Sequence, residues 1–238
     1  MQFLLIHGSW HGAWCWYKIV PRLQSEGHGA VAFDLPGRGR APARPALVGL
    51  SGMVDQAARL LLPDEKTTVV VHSRYGVVAS QLAERFPERI ERTIYLASFM
   101  LPNGKSVADY FQTDTDARIG QFVDLNRLGM WDRLRPEGYR DVLYHDCSDD
   151  DNSLAASLLC REPLRPAIAR LKLSEDRYGR VPRGYIRLTN DRAVSIAMQD
   201  RLLNETQADR VETITAGHSA YFCKPDELCA SILKIAGT

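Results

Sequence analysis

Nowhere along the 238 residues does an apolar run approach the roughly 18 that a membrane-spanning helix needs. The opening Met1-Gln2-Phe3-Leu4-Leu5-Ile6-His7 has no basic stretch and no small-residue cleavage site, so no secretory leader is expected. An excess of one charge sign is also missing. Thirty Lys and Arg against 29 Asp and Glu leave a net charge of +1, which gives no electrostatic footprint for a nucleic acid. Cysteine is sparse: Cys15, Cys147, Cys160, Cys223 and Cys229 are an odd count with no Cys-x-x-Cys pair. That pattern argues against a disulfide framework and a zinc finger, and ordinary thiols in a reducing cytoplasm are expected. Internal repeats and low-complexity tracts are absent too. What remains, 45% hydrophobic and 25% charged residues, is the composition of one globular domain spanning residues 1–238.

Short apolar runs at residues 3–7, 30–34, 68–72, 93–98, 185–189 and 211–215 read as strands. Their near-continuous apolar character fits strands buried on both faces, as in a parallel sheet. Between them, residues 14–26, 50–62, 74–86, 196–204 and 226–235 carry helical spacing. Alternating βα units of this kind predict a doubly wound α/β domain, a mostly parallel sheet flanked by helices. One stretch, approximately 101–183, breaks the alternation and shows no convincing buried strand. It is expected to be a mostly helical lid over a small apolar pocket, inserted before the strand that carries an acid.

The chemistry concentrates where apolar strands end. Val70-Val71-His72-Ser73-Arg74-Tyr75-Gly76 runs from strand into helix, the setting of a nucleophile elbow. A serine there alone could equally be a helix cap. Two later segments add to it. Asp191 follows the run at 185–189, and His218 follows the run at 211–215. The carboxyl ends of strands are where open α/β sheets bind ligands, and the order Ser, Asp, His is that of an α/β-hydrolase. His7-Gly8-Ser9-Trp10 follows the first strand, where this arrangement places an oxyanion loop. The backbone N–H groups of Ser9 and Arg74 are the expected donors. Gly8, Trp10 and Trp131 are candidate substrate contacts. Gly37-Arg38-Gly39-Arg40 reads as a structural loop with exposed arginines, Asp34 as a loop-ordering acid, and His11 as part of a packed aromatic corner. Asp149-Asp150-Asp151 reads as a solvated helix start, since the glycine and distal glutamate of a calcium loop are missing.

The segment Leu5-Ile6-His7-Gly8-Ser9-Trp10-His11-Gly12-Ala13-Trp14-Cys15-Trp16 resembles the opening of the plant methylesterase and hydroxynitrile lyase family. Leu96–Pro102 resembles the family's entry to its lid, residues 181–186 its exit, and residues 226–236 its closing helix. The resemblance implies an α/β-hydrolase fold, a Ser73–Asp191–His218 triad, and neither metal nor cofactor. Two departures stand out. Val71 and Tyr75 occupy positions where the family carries glycines. Gly8 and Ser219 stand where the lyases have a threonine and a lysine, and a lyase needs a cation for its leaving anion. The expectation is therefore an esterase acting on a small ester or related acyl substrate, with no nucleic-acid or membrane partner and at most a second copy of the chain in a homodimer. A lyase or cyclase of specialised metabolism and a ligand-binding protein that has lost turnover are the rival readings.

Overall fold

In the computed structural model, residues 1–237 are described. The chain alternates strictly at first: β1 (Gln2–Ile6), α1 (Ile19–Ser25), β2 (Gly29–Phe33), α2 (Leu50–Ala58), β3 (Thr67–His72), α3 (Gly76–Arg85) and β4 (Ile90–Leu96). The inserted stretch holds α4 (Val107–Phe111), β5 (Val123–Asn126), β6 (Trp131–Leu134), α5 (Asp149–Leu158), β7 (Glu162–Pro163) and α6 (Arg165–Ile168). Alternation then resumes with β8 (Arg183–Leu188), α7 (Ile196–Glu205) and β9 (Arg210–Ile214), followed by α8 (Ala220–Cys223) and α9 (Pro225–Ala236). Six strands form an all-parallel sheet in the order β2-β1-β3-β4-β8-β9.

The pleat explains the two-sided core. Successive side chains point to opposite faces, so β1 sends Phe3 and Leu5 to one side and Leu4 and Ile6 to the other. Phe3 and Leu5 join Ile19, Leu23 and Ile232, while Leu4 and Ile6 join Met53, Val54 and Leu82. Each such side chain, fully buried, contributes about 1.5–3 kcal/mol. β3 is buried at every position and lies at the centre, which is where its following turn must fall at the middle of the sheet's carboxyl edge. All six expected strands and all five helical stretches are present, with shifted ends. The stretch at 14–26 divides into a short 3₁₀ turn, Ala13–Trp16, and α1, where Pro21 is tolerated because it falls in the first turn.

The insertion differs from its expected mostly helical form. Besides short helices it contains an antiparallel sheet, β5-β6-β7. Its strands have four, four and two residues and carry charges, as in Val-Asp-Leu-Asn and Trp-Asp-Arg-Leu, so no apolar run marks them. Among the described residues no helix is long and apolar enough to cross a membrane.

Candidate active site

Four loops at the carboxyl edge of the sheet converge. At the end of β3, Ser73 has φ 57°, left-handed backbone that is rare for a residue with a side chain and marks a strained turn. The surroundings hold it there. The Ser73 carbonyl accepts from the Ser98 hydroxyl at 2.6 Å and from the Phe99 amide at 3.1 Å. Gly76 makes the next turn possible, because a Cβ there would stand 2.4 Å from the Phe99 carbonyl oxygen. The small residue needed between helix and strand is thus Gly76. Val71 and Tyr75 are both fully buried in the core on the α2–α3 side of the sheet.

His218 Nε2 lies 3.0 Å from Ser73 Oγ, and His218 Nδ1 lies 2.7 Å from Asp191 Oδ2. The other oxygen of Asp191 accepts from the Ala193 and Val194 amides at 2.7 and 2.9 Å, which fixes the carboxylate. With Nδ1 donating to that carboxylate, Nε2 is free to accept the serine proton. His72 supports this from behind. Its ring lies 4.3 Å from that of His218, and its Nε2 donates to the His218 carbonyl at 3.0 Å. Burial, together with the neighbouring His218 and His11, pushes the pKa of His72 well below its ordinary value. It stays neutral and adds no charge against a proton arriving on His218.

Two further buried histidines fix the loop after β1. His7 donates through Nδ1 to the Gly8 carbonyl at 2.8 Å and accepts from the Leu35 amide at 3.1 Å. His11 donates through Nδ1 to the Ser9 carbonyl at 2.6 Å and accepts from the hydroxyls of Tyr144 and Tyr221 at 2.6 and 3.0 Å. Burial lowers both, His11 to about 3. The loop lies tight against the elbow: a Cβ at Gly8 would come 2.7 Å from His72 Nδ1 and 3.0 Å from Ser73 Cβ. Among the described residues, neither the Ser9 nor the Arg74 amide is taken by a side chain or a loop carbonyl.

The other flank of the elbow is ionic. The Arg74 side chain, buried, donates to Asp132 of β6 at 2.8 Å and lies over the Trp10 ring. Trp10 Nε1 donates to the same carboxylate at 2.7 Å, and the Trp10 amide donates to Glu162 of β7 at 2.6 Å. Glu162 is wholly buried and receives both Nη groups of Arg38, at 2.9 and 3.0 Å, with the Tyr75 hydroxyl. Trp10 itself has φ 61°.

Two expectations are corrected by the structure. Arg38 is not an exposed loop arginine but is only 4% exposed, neutralised by Glu162. Asp151, at the start of α5, is buried against Lys18 at 2.8 Å, although Ser148 does cap that helix. Asp132 and Glu162 are not marked in the sequence, since a carboxylate in a short polar strand carries no sign of burial. Asp34 orders loops by accepting from the Ala13 and Arg40 amides. Trp131 is half-buried under the Arg161 guanidinium, with its contacts inside the insertion. A cavity of about 820 Å³ opens between β2 and α2, lined by His11, Trp14, Asp34 and Arg40 among others; Ser73 is not part of its wall.

Comparison with known proteins places the chain in a family. The profile of the "Alpha/beta hydrolase family" matches residues 3–231. Methylesterase 7 of Arabidopsis thaliana is 32% identical over 257 residues, covering 99% of this chain and 96% of that protein. Norfluorocurarine synthase 2 of Strychnos is 32% identical over 256 residues, covering 98% and 94%. A longer chloroplastic relative from Arabidopsis thaliana is also 32% identical, and the chain spans 64% of its length. The crystal structure of polyneuridine aldehyde esterase superposes with a TM-score of 0.87 at 27% identity, covering 99% of this chain and all of that one.

Proposed function

The chain belongs to the alpha/beta hydrolase family, in its plant methylesterase-like branch, and on that footing we propose that it is a serine esterase acting on small carboxylic esters. The observation that carries the reading is the unbroken series Asp191–His218–Ser73, with the serine held in a left-handed turn. Ser73 Oγ attacks the ester carbonyl as its proton passes to His218 Nε2, and Asp191 stabilises the imidazolium. The Ser9 and Arg74 amides receive the oxyanion. His218 then protonates the departing alcohol, and water attacks the acyl-enzyme by the same route in reverse.

In this reading residues 101–183 are the lid, and its buried carboxylates have a task. Asp132 and Glu162 grip Trp10 on one oxyanion loop and Arg74 and Tyr75 on the other. A displacement of about 1 Å between such donors can cost ~10²-fold in rate, so this grip supports catalysis as well as stability. Trp10 is the substrate contact this arrangement favours, Gly8 sets the closeness of the loop, and Trp131 belongs to the lid.

The lyase reading meets two obstacles. A threonine at position 8 would drive its Cβ into His72, and Ser219, fully buried against the Tyr221 hydroxyl, offers no cation beside His218. The five unpaired cysteines suit a reducing compartment, and we assign the protein to the cytoplasm. The test is a fluorophosphonate probe combined with a series of short-chain p-nitrophenyl esters. Labelling of Ser73 with turnover, both lost in Ser73→Ala, is the expected result. Labelling without turnover of any ester would replace the esterase by a non-hydrolytic enzyme or a binding protein.

A further inference from the structure

Beside the loop that carries His218, the side chains of Asp146, Cys147 and Cys223 converge from two separate segments. Their carboxylate and sulfur atoms all lie within 4.8 Å of one another. The Cys223 thiol points at Asp146 Oδ2 at 3.4 Å, and the Cys147 thiol at Asp146 Oδ1 at 3.9 Å. Both sulfurs also face the Ser219 carbonyl, at 3.6 and 3.9 Å. Two thiols aimed at one carboxylate form a pre-assembled set of soft and hard donors with protons in place of a metal. Zn–S bonds of about 2.3 Å put two thiolates of a tetrahedral site about 3.8 Å apart, so closure by about 1 Å or less suffices. Asp146 is exposed and Cys223 partly so, which gives an ion a path in from solvent.

We propose that Asp146, Cys147 and Cys223 form a binding site for a thiophilic divalent cation of the zinc class, and that its occupation restrains the His218 loop. On binding, two Sγ–H bonds break, two sulfur–metal bonds form, and both protons leave to the buffer. The Asp146 carboxylate supplies the third ligand and water the fourth. The coupling is short. The Gly217 amide, next to His218, donates to Asp146 Oδ2 at 2.6 Å, and the Ser219 carbonyl on the other side faces both sulfurs. An ion that draws Asp146 toward the sulfurs competes with the Gly217 amide for that oxygen. His218 then shifts relative to Ser73, and the occupied protein turns over more slowly.

The site is tested with Zn²⁺ and Co²⁺ on the full chain, kept reduced with a phosphine. The expected result is one Zn²⁺ per chain by chelator-competition titration, and a thiolate-to-cobalt charge-transfer band with Co²⁺. Cys147→Ser and Cys223→Ser should each weaken binding by at least about tenfold, the lower bound even for losing an outer-shell partner of a metal. Absence of the charge-transfer band, or unchanged Zn²⁺ affinity in the double variant, overturns the site. The restraint rests on the esterase reading, whereas the binding does not. It is read as a fall in kcat on adding Zn²⁺, reversed by EDTA and absent in Cys147→Ser/Cys223→Ser. Zn²⁺ binding with no change in kcat would refute the coupling and leave the esterase reading intact.

Discussion

On the His218 side of Ser73, the hydrogen-bonded series ends in a single carboxylate, Asp191, reached through a histidine and backed by a second, neutral one. On the Arg74 side, two arginines and two carboxylates are buried in pairs, Arg74 with Asp132 and Arg38 with Glu162. The first network leaves one acceptor, His218 Nε2, open toward a hydroxyl, and so can move a proton. The second offers no such vacancy at its carboxylates. Glu162 alone receives Arg38, Tyr75 and the Trp10 amide, so its protons and charges are locked and what it governs is position. Buried ion pairs seldom add net stability over apolar packing, because desolvation offsets their attraction. Here their use is to tie β6 and β7 to the loop after β1 and to the turn after β3.

The comparison breaks most directly at Asp191. Asp191→Asn should leave the fold intact and lower kcat about 10⁴-fold, since the amide no longer holds His218 in the tautomer that accepts from Ser73. Steady-state kinetics with a p-nitrophenyl ester, alongside thermal melts, decides this. Unchanged turnover would transfer the role to another acid.

The positional network should respond in stability rather than in chemistry alone. Glu162→Gln leaves the Arg38 guanidinium buried without a compensating charge, at an expected cost of about 3–5 kcal/mol. Replacing both partners, as Arg38→Met with Glu162→Leu, should recover much of it, because no charge then remains buried. Urea unfolding of the three proteins is the measurement. A single variant as stable as the parent would show that the pair is not the constraint its burial implies.

These two networks also mark how far the sequence could be read. The parallel sheet was legible because its strands are apolar on both faces, and β3 with its six buried residues was the clearest. Ser73, Asp191 and His218 could be singled out because each follows such a strand. The strands of the insertion leave no such mark, for the converse reason. Two to four residues with alternating charge do not differ from loop, and their register comes from tertiary partners such as Arg38 and Arg74. Likewise Arg38 read as exposed because its partner Glu162 lies far along the chain, and Cys147 and Cys223 are joined only by the fold.

The histidines extend the contrast to pH. His7, His11 and His72 are neutral in the fold, with pKa values pushed below the ordinary 6.5 by burial. The unfolded chain takes up these protons near pH 6.5 and the native state does not. Stability is therefore full above that pH and is lost as pH falls from 6.5 toward the folded values, about 3 for His11. Each contributes a slope of up to about 1.4 kcal/mol per pH unit in that window. Urea midpoints at pH 7.5, 6.0 and 5.0 should fall accordingly. A flat profile would mean that these rings accept protons without unfolding.

The smallest effect is expected at Tyr75, which stands where the resembling family carries a glycine. Its side chain is held by other partners: the ring stands edge-on to His7 at 5.8 Å, and the hydroxyl accepts from Arg38 at 2.9 Å while donating to Glu162. The closeness of helix and strand is met instead by Gly76, where a Cβ would stand 2.4 Å from the Phe99 carbonyl oxygen. Tyr75→Phe keeps the ring and removes one hydrogen-bonding group, while Glu162 retains Arg38 and the Trp10 amide. The expected cost is about 1–2 kcal/mol of stability. Rate should hold within about threefold in kcat/KM for acetyl and butyryl esters, far below the ~10²-fold that misaimed donors produce. A change of tenfold or more in the ratio between those two esters would mean that Tyr75 shapes the acyl site through the lid, and the division between a network that reacts and a network that holds would fail at that residue.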